Sequence, residues 1–159
     1  MALTINIRHL EEKELLLQGE LGVEELELEG LDELIHPRQA LHYDLRAQKV
    51  SQGILVQGTL EMTLECDCAR CLRPFPCQIR LHPWMAHLPL EGPEKAAIKD
   101  DLADLTPYIR EDILLEFPRH PLCGTDCGGL PNQARENKAK GAGLTAGSSA
   151  WSELNKLKF

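Results

Sequence analysis

The feature that most constrains the fold is a pair of alternating apolar and polar runs on either side of a short cysteine-containing segment. The first run covers residues 53–66 and the second covers residues 75–81. Alternation with a period of two is typical of a β-strand with one face in the core and the other in water. The two runs are close enough in sequence to pair antiparallel, with residues 67–74 as their connection. The sequence therefore predicts a long β-hairpin whose connection carries a C-x2-C motif.

Shorter segments of similar character predict further strands in the first half of the chain. They lie at Leu3–Ile7, Val23–Leu28 and Leu41–Leu45. The acidic segment Pro89–Asp101 contains glycine and proline and is predicted to be a loop. The acidic residues between Glu24 and Glu33 are expected to form a solvated surface, with a contact to a basic partner as the alternative.

One main helix is predicted after that loop. Thr106 is suited to the N-cap, and Pro107 to the first helical position. Ile109, Ile113 and Phe117 recur every four residues and predict a stripe that faces the core, after which Pro118 ends the helix. The expected fold class is α+β, mostly antiparallel β-sheet with one main helix and cysteine turns.

Composition divides the chain into three predicted parts. Residues 1–130 are expected to form a single α+β domain, because this length can bury a substantial core. Residues 131–150 are rich in Gly, Ala and Ser and predict a flexible linker. Residues 151–159 place Trp151, Leu154 and Leu157 at a spacing of three and predict a short docking helix at the end of the tail.

The distribution of charge bears on location and partners. The formal net charge is −8, which argues against a protein that coats nucleic acid by non-specific electrostatic binding. Basic residues outnumber acidic ones only at 66–83 and at 131–159, the latter including Arg135, Lys138 and Lys140. No apolar run is long enough to span a bilayer, and polar residues interrupt the first ten positions where a signal peptide would need an apolar core. We therefore expect a cytoplasmic protein that does not bind membranes.

Six cysteines in a reducing compartment favour metal ligands, redox groups or buried thiols over a disulfide framework. Cys68 and Cys71 form C-x2-C, and Cys123 and Cys127 form C-x3-C, which are both ligand spacings of structural zinc sites. Two such pairs supply the four thiolates of a tetrahedral ion. The sequence thus predicts a structural zinc site that joins the hairpin turn to the segment after the helix.

Other interpretations of the cysteines stay open at this level. Cys66 and Cys77 fall on the apolar phase of their strands and are expected to be core residues, although Cys66 also lies within metal reach of Cys68. A thioredoxin-like redox site is disfavoured because Pro74 and Pro76 follow the C-x2-C motif, where a helix would have to begin. His120 is the one histidine close to a cysteine pair.

Sequence motifs for catalysis are weak. His9-Leu10-Glu11 matches the first part of the zinc-deaminase signature, but Asp67 rather than proline precedes Cys68. A phosphate-binding glycine loop, a nucleophile elbow and an H-E-x-x-H pair are not found in the sequence. A non-catalytic binding protein without a small-molecule substrate is the favoured class, and a thiol or zinc enzyme is the disfavoured one.

Four motifs together resemble one bacterial family, the YceD proteins. Residues 68–75 (CARCLRPF) are similar to its C-x-R-C-L-x-P-F signature, and residues 121–130 (PLCGTDCGGL) to its second cysteine signature. The helix at 104–118 and the terminal segment 151–158 resemble the corresponding parts of the family. The resemblance covers roughly residues 50–159. Many relatives carry a further cysteine pair after the G-L, and this chain does not.

The resemblance implies a role in accumulation or processing of the large-subunit (23S) ribosomal RNA, without catalysis. The expected partner is that RNA or a ribosomal or assembly protein. Arg70, Arg73 and Arg80 are the candidate phosphate contacts, because basic side chains supply most of the affinity for RNA. A metal-stabilised adaptor that binds only protein is the alternative, and the acidic net charge favours it.

Overall fold

Antiparallel strands make up most of the regular structure in the computed structural model, which describes residues 2–11, 13–93 and 95–130. A short 3-10 helix at Ile7–Glu11 and one α-helix, α1 at Thr106–Leu115, complete the regular structure of these residues. The strands are β1 (Thr4–Asn6), β2 (Leu15–Leu21), β3 (Ile35–Pro37), β4 (Leu41–Val50), β5 (Gly53–Asp67), β6 (Pro74–Pro89), β7 (Ile98–Lys99) and β8 (Leu102–Asp104).

Strand β5 is the centre of the larger, five-stranded sheet. β6 pairs with one edge of β5 over nearly its whole length. The other edge is shared, with β4 beside residues 53–61 and β3 beside residues 64–66, and β2 extends the sheet beyond β4. The predicted hairpin is confirmed, and its connection lies at the far end of β5, where the first cysteine pair is held.

Gly58 allows β5 to approach β4 closely. A Cβ atom at this position would overlap the carbonyl oxygen of Asp44 and lie 2.8 Å from the Cα atom of Leu45. The pairing of β5 with β6 also shifts register between Gly58 and Leu60, as expected of a β-bulge. The glycine therefore fixes how the three central strands fit together.

One continuous core lies against the inner face of the five-stranded sheet. Leu45, Leu60 and Leu64 from that face and Ile109 and Ile113 from α1 are almost completely buried in it. The smaller sheet, ordered β1-β8-β7, contributes to the same cluster. The mostly antiparallel α+β fold with one helix in the described residues is as predicted.

The expected strand at Val23–Leu28 is wrong. These residues form successive turns, in which the Leu26 N–H donates to the Gly22 carbonyl and the Leu28 N–H donates to the Val23 carbonyl, both at 3.2 Å. Val23, Leu26 and Leu28 are all buried. The Arg110 Nε atom donates to the Leu26 carbonyl at 2.9 Å, so the turn packs beneath α1 and its apolar residues serve the core without a strand.

The other predicted elements are found with changed boundaries. Strand β1 covers only three residues of the predicted Leu3–Ile7, and β4 extends five residues beyond Leu45. The predicted loop at residues 89–101 contains β7. α1 begins at Thr106 rather than after it, because the threonine hydroxyl accepts a hydrogen bond from the Leu3 N–H at 2.9 Å instead of capping the helix.

The predicted linker at 131–150 and the predicted docking helix at 151–159 lie outside the described residues, and both stay predictions. Within the described residues, α1 is too short to cross a bilayer, and no helix there has the length and apolar character of a membrane span.

Trp84 on β6 connects the sheet to α1. Its side chain is 4% exposed, and its Nε1 atom donates to Asp112 Oδ2 at 2.6 Å. Trp84→Phe retains most of the apolar contact but removes this charge-assisted bond, so we expect the free energy of unfolding to fall by about 1.5–3 kcal/mol. Urea denaturation measures the loss.

A double-mutant cycle separates the hydrogen bond from altered packing. With Asp112→Ala as the second substitution, we expect a coupling energy of roughly 1 kcal/mol or more between the two positions. Strictly additive losses would show that the bond does not stabilise the fold.

Candidate metal centre

The first cysteine turn is a tight knuckle between β5 and β6. The Cys68 N–H donates to the Arg73 carbonyl at 3.0 Å, and the Leu72 N–H donates to the Cys68 carbonyl at 2.8 Å. Closing this turn puts Leu72 at a φ of 57°, a left-handed conformation that costs a non-glycine residue about 1 kcal/mol or more. Cys68 and Cys71 are both buried, and the hairpin holds them in fixed positions.

The second cysteine turn follows α1 and is attached to the first by the backbone. The Ala69 N–H donates to the Pro121 carbonyl at 2.8 Å. Beyond this contact, the Cys127 N–H donates to the Gly124 carbonyl at 3.3 Å and turns the chain back. Cys123 is exposed and Cys127 is half-buried. The knuckle thus lies against a second turn that is more open to solvent.

The four sulfur atoms converge. The Sγ atoms of Cys68 and Cys127 are 3.7 Å apart, as are those of Cys71 and Cys123. All four lie within 4.8 Å of one another. A tetrahedral zinc–thiolate centre with bonds of about 2.3 Å has sulfur–sulfur edges of about 3.8 Å. The arrangement therefore fits a four-thiolate zinc ion, with one pair of ligands supplied by each turn.

Electrostatics in the cluster favour a bound cation. Backbone N–H groups, first that of Cys123, lower the pKa of the Cys68 thiol to about 6. The neighbouring Arg73 lowers the pKa of Cys71. The sulfurs around Cys123, first that of Cys127, raise the pKa of Cys123 to about 12. Some of the thiols ionise readily and the last resists ionisation, because it would add a negative charge beside the others; a divalent ion removes that repulsion.

The two remaining cysteines are separate from this cluster. Cys66 is buried on the inner face of β5, as expected of a core residue, and Cys77 is half-buried against the same core. Burial, and after it the negative charge of the neighbouring Cys77 sulfur, raises the pKa of Cys66 to about 11. The candidate ligand group in the described residues consists of four cysteines, without Cys66, Cys77 or His120.

The three candidate phosphate contacts lie in different environments. Arg70 is exposed in the knuckle. The Arg73 Nε atom donates to the Sγ atom of Cys71 at 3.4 Å. Arg80 is six residues into β6, about 20 Å along the strand, where its Nε atom pairs with Glu61 Oε1 at 2.8 Å. Arg70 and Arg73 are thus close to the metal centre and Arg80 is not.

Arg119, which belongs to no sequence motif, is a further basic residue close in sequence to the second turn. It is exposed two positions before Pro121, the residue whose carbonyl binds the knuckle. No ion pair joins Arg70 or Arg119 to another described residue. The Ala69–Pro121 hydrogen bond brings together the two backbone segments next to these arginines, a contact that sequence spacing alone does not indicate.

Comparisons with known proteins agree with the motifs. The family model described as Large ribosomal RNA subunit accumulation protein YceD matches residues 56–158, a range that includes both cysteine turns. An uncharacterized protein of Mycobacterium tuberculosis is 36% identical over 98 residues, which are 57% of this chain and 47% of the relative. The uncharacterized protein YlbN of Bacillus subtilis is 28% identical over 98 residues, 58% of this chain and 56% of the relative.

The matched segment spans about half the length of these curated relatives. No solved structure matches the chain significantly. The family match nevertheless covers well over half of the chain and contains β6, α1 and all four cysteines of the cluster. The chain belongs to the YceD family.

Proposed function

We propose that the protein is a non-catalytic cytoplasmic factor that promotes accumulation or processing of the large-subunit (23S) ribosomal RNA during ribosome assembly. The observation that carries this proposal is the family match over residues 56–158, whose description names large ribosomal RNA subunit accumulation. The description names no reaction, and the best-organised group of side chains in the described residues is the four-cysteine cluster. A structural ion and a binding surface are consistent with an assembly factor.

Zinc has a structural role in this proposal. Cys68, Cys71, Cys123 and Cys127 would hold the ion, which would supply a rigid tetrahedral link between two turns that are far apart in sequence. The linked turns present Arg70 to solvent, and Arg73 remains against Cys71. The metal would thereby determine the shape of the surface that meets the partner.

The partner is either the RNA itself or a protein bound to it. Two observations favour a protein-binding adaptor as the second candidate. The net charge is −8, and several described arginines are neutralised by acidic neighbours. These pairs are Arg8–Asp101, Arg38–Glu65, Arg46–Glu14 and Arg80–Glu61. Direct RNA binding would depend on the smaller basic group at the metal centre.

Deletion of the gene is expected to lower the ratio of large-subunit to small-subunit ribosomal RNA selectively, with precursor ends mapped in the same cells. Cys123→Ser is expected to reproduce the fall at normal protein level, because the exposed cysteine can be replaced without disturbing the core. Cys77→Ala, which alters a cysteine outside the cluster, is the matched control and should leave the ratio unchanged. An unchanged ratio in the deletion strain would contradict the proposed function.

Salt dependence distinguishes RNA binding from an adaptor role. A direct binder loses affinity for a 23S RNA fragment steeply as salt rises, with a log–log slope of about −0.7 per phosphate contact on single strands. Arg70→Gln should weaken binding and make the slope shallower. Arg46→Gln, on the β4 strand and paired with Glu14, is the control. Absence of RNA binding at low salt, together with a lowered ratio in the deletion strain, would assign the adaptor role.

A further inference from the structure

The two turns of the metal centre differ in their access to solvent. Cys68 and Cys71 in the knuckle are buried, whereas Cys123 is exposed and Cys127 is half-buried. A small oxidant arriving from solvent therefore meets the second turn first. In the zinc-loaded protein all four sulfurs would be thiolates, so this difference in exposure sets the order in which they react.

Each cysteine of the second turn has a sulfur of the knuckle within contact distance. Cys123 lies 3.7 Å from Cys71, and Cys127 lies 3.7 Å from Cys68. A disulfide bond is about 2.05 Å long. The two sulfur atoms of either pair therefore need to approach each other by less than about 2 Å, which rotation of the side chains can supply. The Ala69–Pro121 backbone hydrogen bond keeps the two turns together while this happens.

We propose that the four-cysteine cluster is an oxidation site, at which hydrogen peroxide forms two disulfides that cross between the turns, Cys71 with Cys123 and Cys68 with Cys127. This inference concerns the chemistry of the cluster and does not depend on the ribosomal RNA role.

The oxidation proceeds in two balanced steps for each disulfide. The Cys123 sulfur forms a bond to one peroxide oxygen as the O–O bond breaks, giving a sulfenic acid and a hydroxide that takes up a proton. The Cys71 sulfur then attacks the Cys123 sulfur, the S–S bond forms, and the S–O bond breaks to release a second hydroxide, which also becomes water. Cys127 and Cys68 react with a second peroxide in the same way. Two peroxides are reduced, four thiolates are oxidised and four protons are consumed.

The crossed pattern has a structural consequence. Disulfides within each turn would leave the knuckle and the second turn joined only by non-covalent contacts. Disulfides between the turns replace the metal link with covalent links across 52 and 59 residues of sequence. The four thiolates would no longer be able to hold a zinc ion, but the two turns would remain joined. The oxidised protein therefore keeps its fold without the ion.

Peptide mapping tests the pairing directly. The full chain carrying Cys77→Ala is loaded with zinc, treated with two equivalents of hydrogen peroxide, blocked with N-ethylmaleimide and digested without reductant by trypsin and Asp-N. Cleavage after Arg70 and Arg119 and before Asp67 and Asp126 places each cysteine of the cluster on a separate peptide. A chromogenic chelator measures the zinc released.

We expect one zinc released per chain and at least a tenfold excess of the two crossed peptides over any other pairing. Disulfides within the turns, disulfides to Cys66, or sulfinic and sulfonic acids as the main products would overturn the proposal. Wild-type protein must release zinc at the same rate as the Cys77→Ala variant, since Cys77 lies outside the cluster. A slower release in that variant would show that Cys77 takes part, which would also contradict the proposal.

A single substitution provides an independent check. In Cys123→Ser, which alters an exposed residue, one equivalent of peroxide should form Cys68–Cys127 and leave Cys71 open to alkylation. Pairing of Cys71 with either remaining cysteine would contradict the crossed geometry. In the unsubstituted protein with chelator present, the oxidised form should melt at a higher temperature than the reduced form, and equal melting temperatures would show that the disulfides do not replace the metal link.

Discussion

Cys68→Ser is expected to abolish stable zinc binding and to lower the free energy of unfolding by about 4 kcal/mol when free zinc is a thousandfold above its dissociation constant. Cys68 is fully buried, and its sulfur belongs to the candidate ligand group of four cysteines. A serine oxygen does not replace the thiolate, because zinc in such sites is held by anionic sulfur. Urea denaturation at fixed free zinc measures the loss, and metal content per chain confirms its cause.

Repeating the denaturation with a chelator distinguishes loss of the metal from loss of packing as the cause of the lower stability. With zinc removed from both proteins, the wild type and Cys68→Ser should unfold at similar urea concentrations. A difference as large in chelator as in zinc would show that the buried sulfur acts by packing and not as a ligand. Cys77→Ser, at a half-buried cysteine outside the cluster, is the matched control and should keep its zinc.

Gly58→Ala is expected to destabilise the fold by about 3 kcal/mol. The added methyl group would overlap the Asp44 carbonyl oxygen and approach the Leu45 Cα atom, and both are backbone atoms of the neighbouring strand. Backbone atoms do not rotate away as a flexible side chain would, so β4 must separate from β5. Chemical denaturation measures this loss, and a smaller yield of folded protein should accompany it.

Gly22→Ala is the control, because it replaces a glycine at which an added methyl group has no close backbone neighbour. A methyl group there would meet only the Glu25 side chain, at an ordinary contact distance of 3.8 Å, so we expect a change within about 0.5 kcal/mol. Equal losses at the two positions would show that the close approach of β4 to β5 does not restrict residue 58.

The hairpin and the helix were predictable because their signals are local. Alternation over residues 53–66 and 75–81 indicates β5 and β6, and the segment between them had to be a turn. The spacing of Ile109 and Ile113 indicates the buried face of α1, and both side chains are fully buried. Each signal depends on neighbours within about four residues, where the backbone period determines which side chains share a face.

Two segments whose alternation does not match their structure were missed or wrongly assigned. Strand β2 begins with three consecutive leucines, so alternation gives no indication of it, although Leu16 points to solvent and is 67% exposed. The segment Val23–Leu28 has apparent alternation but forms turns, because Glu27 at a φ of 48° redirects Leu28 into the core. Pairing with β4 and packing beneath α1 decide these cases.

By itself, the sequence determined the long hairpin, the helix, the mostly antiparallel class and the two pairs of cysteines with zinc-like spacing. Only the tertiary structure decided that the pairs meet, with sulfurs 3.7 Å apart across 52 and 59 residues of sequence. It also decided that Arg73 lies against Cys71 while Arg80 pairs with Glu61. The physical reason is that spacing along a chain specifies local geometry, whereas contacts between distant segments depend on how β5, β6 and α1 pack around one core.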